Sequence, residues 1–261
     1  MASTIHPALD PAFFGEGPAR DERFTVKEVW VDMVNLPEDD PEWKMEFFHR
    51  QMNEECNVLE NAASNITDFP DADWNIRYWL ARQAADEARH VDTYRELLEA
   101  RGGEVGQYPV MNFQYRILRK VDTLIGRLAV QNRTFEADGL DAVTHAIDEA
   151  RRNGDEKLAE MYETQQADEV LHIRFANDWI KEQLGKDPRN VLHMSRALTQ
   201  GARAFEQVFA KGGTNVMKYG VATEARLEAG FDPGEVEVAV QQSDARRAKV
   251  RARLGVDPAG G

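Results

Sequence analysis

Apolar residues along this chain recur at three- and four-residue spacing over long stretches, and they nowhere alternate for long enough to suggest a strand. The clearest stripe is Phe48, Met52, Leu59 and Ala62, and it also takes in Glu55. Its helix has a start signal: Asp40 as N-cap, Pro41 at the first helical position and Glu42 in the first turn. Pro70 and the acidic residues Asp71 and Asp73 end it. A second helix is expected over about 74–100, stopped by Gly102-Gly103. A connection over 103–112 leads to a third helix, which begins near Phe113 and continues, with a kink, to about Asn153-Gly154. The fourth starts after Asp155 and ends at Gly185, with Pro188 beyond it. Two more helices are expected, roughly 190–211 and 233–254, the latter opened by Asp232-Pro233. Residues 1–40 carry Pro7, Pro11, Gly15, Gly17, Pro18 and Pro37, and read as an irregular arm with one short element near 26–34. The fold class is all-α.

Two octapeptides on the second and fourth helices are nearly the same. Gln83-Ala84-Ala85-Asp86-Glu87-Ala88-Arg89-His90 matches Gln165-Gln166-Ala167-Asp168-Glu169-Val170-Leu171-His172. Each ends in Glu-x-x-His. Residues three apart on a helix share one face, so a carboxylate and an imidazole can grip one metal ion from a single turn. The repeat continues upstream, where Glu55-Cys56-Asn57-Val58-Leu59-Glu60 matches Glu136-Ala137-Asp138-Gly139-Leu140-Asp141. Glu55 and Glu136 are 81 positions apart, and Glu87 and Glu169 are 82 apart. The chain thus reads as two helix pairs, each supplying a lone Glu and a Glu-x-x-His. The competing reading, that these residues lie on solvated faces of acidic helices, serves for one motif but not for a matched pair with matched upstream glutamates.

Four carboxylates and two imidazoles converging in a four-helix bundle are the ligand set of the ferritin-like di-iron and di-manganese carboxylate proteins. The sequence resembles that superfamily over roughly residues 40–185, and its overall pattern is similar to a bacterial ferritin-like family of unassigned function. The resemblance implies a ferritin-like four-helix bundle over 41–185, with an N-terminal arm (1–40) and a C-terminal helical extension (186–261) that covers the bundle or mediates assembly, a homodimer being one expected form. The implied metal ligands are Glu55, Glu87, His90, Glu136, Glu169 and His172, holding two Fe ions, with Mn as the other candidate. Two divalent ions would balance four buried carboxylates, which without cations would be prohibitive.

Metal-bound His usually donates its second ring N–H to a carboxylate. Asp86 is expected to serve His172, and Asp168 to serve His90. Asp86-Glu87-Ala88-Arg89-His90 also looks like the Asp-Glu-x-Arg-His of bacterial multicomponent di-iron monooxygenases, from which the second copy departs at Leu171. Tyr94, one turn after His90, has the spacing of the radical tyrosine in ribonucleotide reductase small subunits; a buried tyrosine beside the ligands is the expectation here. Gly139 is expected either to open volume beside the metals or to permit close helix packing. Asn132 and Arg133, one turn before Glu136, are candidates to orient a polar substrate.

Composition narrows the function. With 42% hydrophobic and 30% charged residues and no apolar run of membrane-spanning length, a soluble protein without membrane partners is expected. A net charge of -14 argues against nucleic acid, and so against a tRNA-modifying hydroxylase. The one basic cluster, Arg246, Arg247, Lys249, Arg251 and Arg253, suits the end of a solvated helix. The start lacks a secretory pattern, and the single Cys56 forbids an intrachain disulfide, so a cytoplasmic location is expected. Cys56 itself lies about 100° around the helix from Glu55 and reads as packing. Two histidines in a symmetric ligand set, the lack of Cys-x-x-Cys pairs and the long extension favour an oxidase or oxygenase. The expected protein is an O2-dependent di-metal oxidoreductase acting on a small organic molecule, with an unidentified electron donor. The alternative is a metal-binding or iron-storage protein without an organic substrate.

Overall fold

A computed structural model describes residues 5–210 and 219–254, with side chains as far as Lys249. Among these residues the chain is predominantly helical. In chain order the helices are α1 (Trp43–Asp68), α2 (Trp74–Glu99), α3 (Phe113–Leu118), α4 (Leu124–Val130), α5 (Glu136–Arg152), α6 (Glu156–Lys186), α7 (Asn190–Phe209), α8 (Thr223–Glu228) and α9 (Pro233–Leu254). Strands β1 (Val26–Lys27) and β2 (Val110–Met111) pair in parallel. No described helix is long and apolar enough to cross a membrane. The chain divides into two compact units, Met1–Gln131 with Pro188–Gly212, and Asn132–Asp187 with Gly213–Gly261.

In the first unit α1 and α2 pack extensively on each other. The helix begins later than its start signal suggests. Asp40 Oδ1 accepts from the Glu42 amide at 2.8 Å, and the Asp40 carbonyl accepts from Trp43 N at 3.0 Å. Asp40 therefore closes a turn ahead of α1 instead of capping it. Asp73 does cap α2, its carboxylate accepting from Ile76 N at 3.0 Å. At the far end Gly102 takes φ 82°, and the Gly103 amide returns to the Leu98 carbonyl at 3.1 Å.

One face of α1 carries Phe48 and Met52, both buried. Another carries a ladder at four-residue spacing, Asn53, Asn57, Asn61 and Asn65, each no more than 2% exposed. The Nδ2 groups of Asn53 and Asn57 reach the Met111 carbonyl of β2 at 2.8 and 3.1 Å. Asn61 donates to Gln131 at 2.9 Å, and Asn65 accepts from Arg127 at 3.0 Å. So α1 is buried on two sides, by apolar contact on one and by amide hydrogen bonds on the other, which is how a polar helix occupies a core.

The stretch after residue 112 is not one kinked helix. α3 stops at Leu118, and a new start is made where the Thr123 hydroxyl accepts from Gly126 N at 3.3 Å. Short polar side chains such as Asp122 and Thr123 compete with helix for backbone bonds. After α4, a π turn over Gln131–Phe135 leads into α5. α4 packs on α7 at small residues: a Cβ on Gly126 would lie 2.9 Å from that of Ala197, and one on Gly201 3.2 Å from Val130 Cγ1.

In the second unit α5 and α6 form the main helix pair around Leu140, Ile173 and Ile180. Between them Gly154 takes φ 73°, and the Asp155 carboxylate caps Leu158 N at 3.1 Å. α8, which the apolar pattern does not announce, lies against both helices. Asn177 Nδ2 donates to the Ala229 carbonyl at 2.8 Å, and Lys181 to the Gly230 carbonyl at 2.8 Å. Near the end of α9, Arg246 and Lys249 are exposed, and Arg247 pairs with Asp244. The side chains of Arg251 and Arg253 lie outside the described residues.

Candidate metal centre

Each unit assembles one triad. In the first, α1 supplies Glu55 and α2 supplies Glu87 and His90, all buried, with Glu87 fully so. His90 Nδ1 lies 2.9 Å from Glu87 Oε2 and 3.8 Å from Glu55 Oε2. In the second, α5 supplies Glu136 and α6 supplies Glu169 and His172, again all buried. His172 Nδ1 lies 3.5 Å from Glu169 Oε2 and 3.9 Å from Glu136 Oε2. Within either triad one ligand-type atom per residue lies within 4.8 Å of the others.

These separations fit a shared cation. Two donors bound at about 2.1 Å and subtending roughly 90–109° lie about 3.0–3.4 Å apart. The observed spacings, 2.9 and 3.8 Å in the first triad and 3.5 and 3.9 Å in the second, lie within about 0.5 Å of that range. Two carboxylates and a neutral imidazole also carry the charge that one divalent ion neutralises, in surroundings where unpaired charge is costly. These buried Glu and His groups could hold metal ions.

The neighbours of these candidate ligands repeat as the candidates themselves do. Gln83 Nε2 lies 3.4 Å from Glu87 Oε1, and Gln165 Nε2 lies 3.5 Å from Glu169 Oε1, in both cases from one turn earlier on the same helix. Both glutamines are buried, and both open the octapeptides, so the signal for them was in the repeat itself. The π turn places Asn132 Nδ2 3.1 Å from the His172 carbonyl and 3.5 Å from Glu136 Oε2. Asn132 thus contacts one candidate ligand, Glu136, and the backbone of another, His172. Arg133 pairs with Glu235 and lies over the Phe231 ring at 5.1 Å, which assigns it to the packing of α9.

The Asp86 carboxylate is buried and held on its own helix by Arg89 and by Arg82 at 3.6 Å. Asp168 is half-buried. Tyr94 is buried, its ring 6.1 Å from that of Phe48. Cys56 is half-buried, with burial pushing its thiol up to about 11, which leaves it a protonated packing group. Gly139 is exposed, and beyond its own stretch of helix backbone no described atom lies within 4 Å of where its Cβ would be. Close helix packing is therefore not the reason for this glycine among the described residues, and the space beside it is open to solvent.

The family model for "Protein of unknown function (DUF455)" matches residues 5–237, nearly the whole described chain. The chain belongs to that family. The DUF455 match contains both triads, both glutamines and α8. No curated protein and no solved structure matches the chain.

Proposed function

We propose that the two Glu-Glu-His triads act together as one di-metal centre in a ferritin-like four-helix arrangement, and that this DUF455 protein is an oxidoreductase using O2 on a small organic substrate. The observation that carries the reading is the doubled triad: twice, a helix pair buries two carboxylates and one imidazole with donor atoms within 4.8 Å of one another. The ligands are Glu55, Glu87, His90, Glu136, Glu169 and His172. When bound, a pair of iron or manganese ions supplies the redox chemistry, with electrons from a separate donor.

The remaining roles belong to side chains. The four glutamates balance the charge of the ions. The two imidazoles ligate in the neutral form, and Asp86 and Asp168 are assigned to receive their second N–H, which sets ring orientation. Gln83, Gln165 and Asn132 aim amide N–H groups at oxygens of Glu87, Glu169 and Glu136 and restrict how far those three carboxylates can swing. Tyr94 is assigned as a buried neighbour one turn from His90, not as a radical site. Burial of all six ligands keeps bulk water from the reacting metals.

The test is anaerobic loading of purified protein with Fe(II), elemental analysis, and then O2 uptake with a supplied reductant. The expected result is about two ions per chain and reductant-dependent uptake. One ion or fewer after loading removes the di-metal reading. Two ions without O2 uptake removes the oxidoreductase reading, and accumulation of many irons per chain establishes a store instead.

A further inference from the structure

The internal repeat extends beyond the ligands to an acid five positions after each lone glutamate, Glu60 after Glu55 and Asp141 after Glu136. Five residues turn a helix by about 140° net, so each acid points away from its ligand, toward the rear of the helix. In both units that rear carboxylate is gripped two-pronged by an arginine from outside the helix pair. Arg20, in the N-terminal arm, donates to the two Glu60 oxygens at 2.6 and 2.9 Å and to Asn53 Oδ1 at 3.0 Å. Arg226, on α8, donates to the two Asp141 oxygens at 2.9 and 2.6 Å and to the Ala137 carbonyl at 3.1 Å. The two guanidinium side chains are 10% and 9% exposed; Asp141 is buried with its arginine, while Glu60 is 29% exposed, so the Arg226 grip is shielded from water and the Arg20 grip partly so.

A Glu-x-x-His pair is set by its own helical turn. The lone Glu has no such local constraint: its distance from the imidazole, 3.8 Å in one unit and 3.9 Å in the other, depends on how one helix is seated on its neighbour. That seating is what a brace at the rear of α1 or α5 controls. We propose that Arg20 and Arg226 are matched positioning residues, which lock the arm and α8 onto the helices carrying Glu55 and Glu136 and so govern how long a bound metal is retained. The inference rests on the metal-binding reading above.

Co(II) is the probe, since its visible spectrum reports ligand geometry. Arg20→Gln and Arg226→Gln are compared with wild type for the bound-ion spectrum and for the rate of Co(II) loss to excess EDTA. Hydrogen exchange is followed in the metal-free proteins over residues 16–24 and 220–229. Each variant should speed exchange of its own segment only, alter the spectrum, and release Co(II) about 10–100-fold faster, as losses behind metal ligands typically do. Arg20→Lys and Arg226→Lys keep the charge without the planar fork and should fall between; they carry the test if a Gln variant does not fold. Wild-type release and spectrum in a variant whose segment has loosened would overturn the proposal, and so would unchanged exchange in both segments. A wild-type protein that takes up no Co(II) defeats the metal reading and the proposal together, whereas a failure confined to the variants defeats the proposal alone.

Discussion

Replacing Glu87 by Gln should stabilise the metal-free protein and abolish its response to metal. Glu87 is 0% exposed, and a Glu55 oxygen lies within 4.8 Å of one of its own. Two like charges at that separation repel by about 3.5 kcal/mol at an effective dielectric of 20. Gln keeps the shape and removes one charge, but it weakens the 2.9 Å contact with His90 Nδ1. Hydrogen bonds to charged groups contribute about 1.5–3 kcal/mol. The expected net gain for the metal-free variant is therefore about 0.5–2 kcal/mol, or roughly 1–8 °C in Tm for a chain of this size. Metal at about 100 times Kd stabilises the wild type by about 2.7 kcal/mol, a rise of roughly 5–11 °C. Thermal unfolding by circular dichroism, at fixed protein concentration with and without Mn(II), measures both quantities. A variant that keeps the full metal-induced rise would refute Glu87 as a ligand. A metal-free variant less stable than wild type by more than about 1 kcal/mol would show that the carboxylate is structural, since breaking a satisfied buried contact is what costs that much.

Asp141→Ala leaves the buried Arg226 guanidinium with only Asp138, at 3.4 Å, as an acidic partner and should cost about 3 kcal/mol in urea unfolding, the low end for a broken buried pair; a loss under about 1 kcal/mol would mean that α8 is not held through Asp141. Burial depresses His49 from its ordinary 6.5 to about 4, and its Nε2 accepts from Gly106 N at 2.8 Å, so the folded protein holds it neutral. Its contribution is complete above about pH 6.5 and is lost as pH falls toward 4, by up to about 3 kcal/mol, because the unfolded chain takes up the proton first. Unfolding free energies over this window should fall less steeply in His49→Gln, and parallel curves for the two proteins would exclude the effect. Gly139→Ala, at an exposed helix position, should stabilise by about 0.5–1 kcal/mol and leave metal uptake unchanged; any destabilisation would point to a contact at that position.

Local periodicity made much of this protein legible. Helix boundaries at Asp73, Gly102 and Asp155 follow from capping chemistry within a few residues of each end, and that chemistry acts wherever the helix later packs. The Glu-x-x-His pairs were readable for the same reason: three residues of helix bring Glu87 to His90 and Glu169 to His172 before any tertiary contact forms. Gln83 and Gln165 were equally local and stood in the repeat. Tertiary structure decided the rest. Glu55 reaches His90 only because α1 packs on α2, and Glu136 reaches His172 only because α5 packs on α6. A glycine in a helix looks alike whether its missing side chain faces a pocket, a neighbour or solvent, so the exposure of Gly139 had no signature in the chain. Nor did Arg226 differ in sequence from any solvated arginine. Its partner Asp141 lies 85 positions away, and a contact across that distance depends on how α8 is seated on α5, which no spacing of residues records.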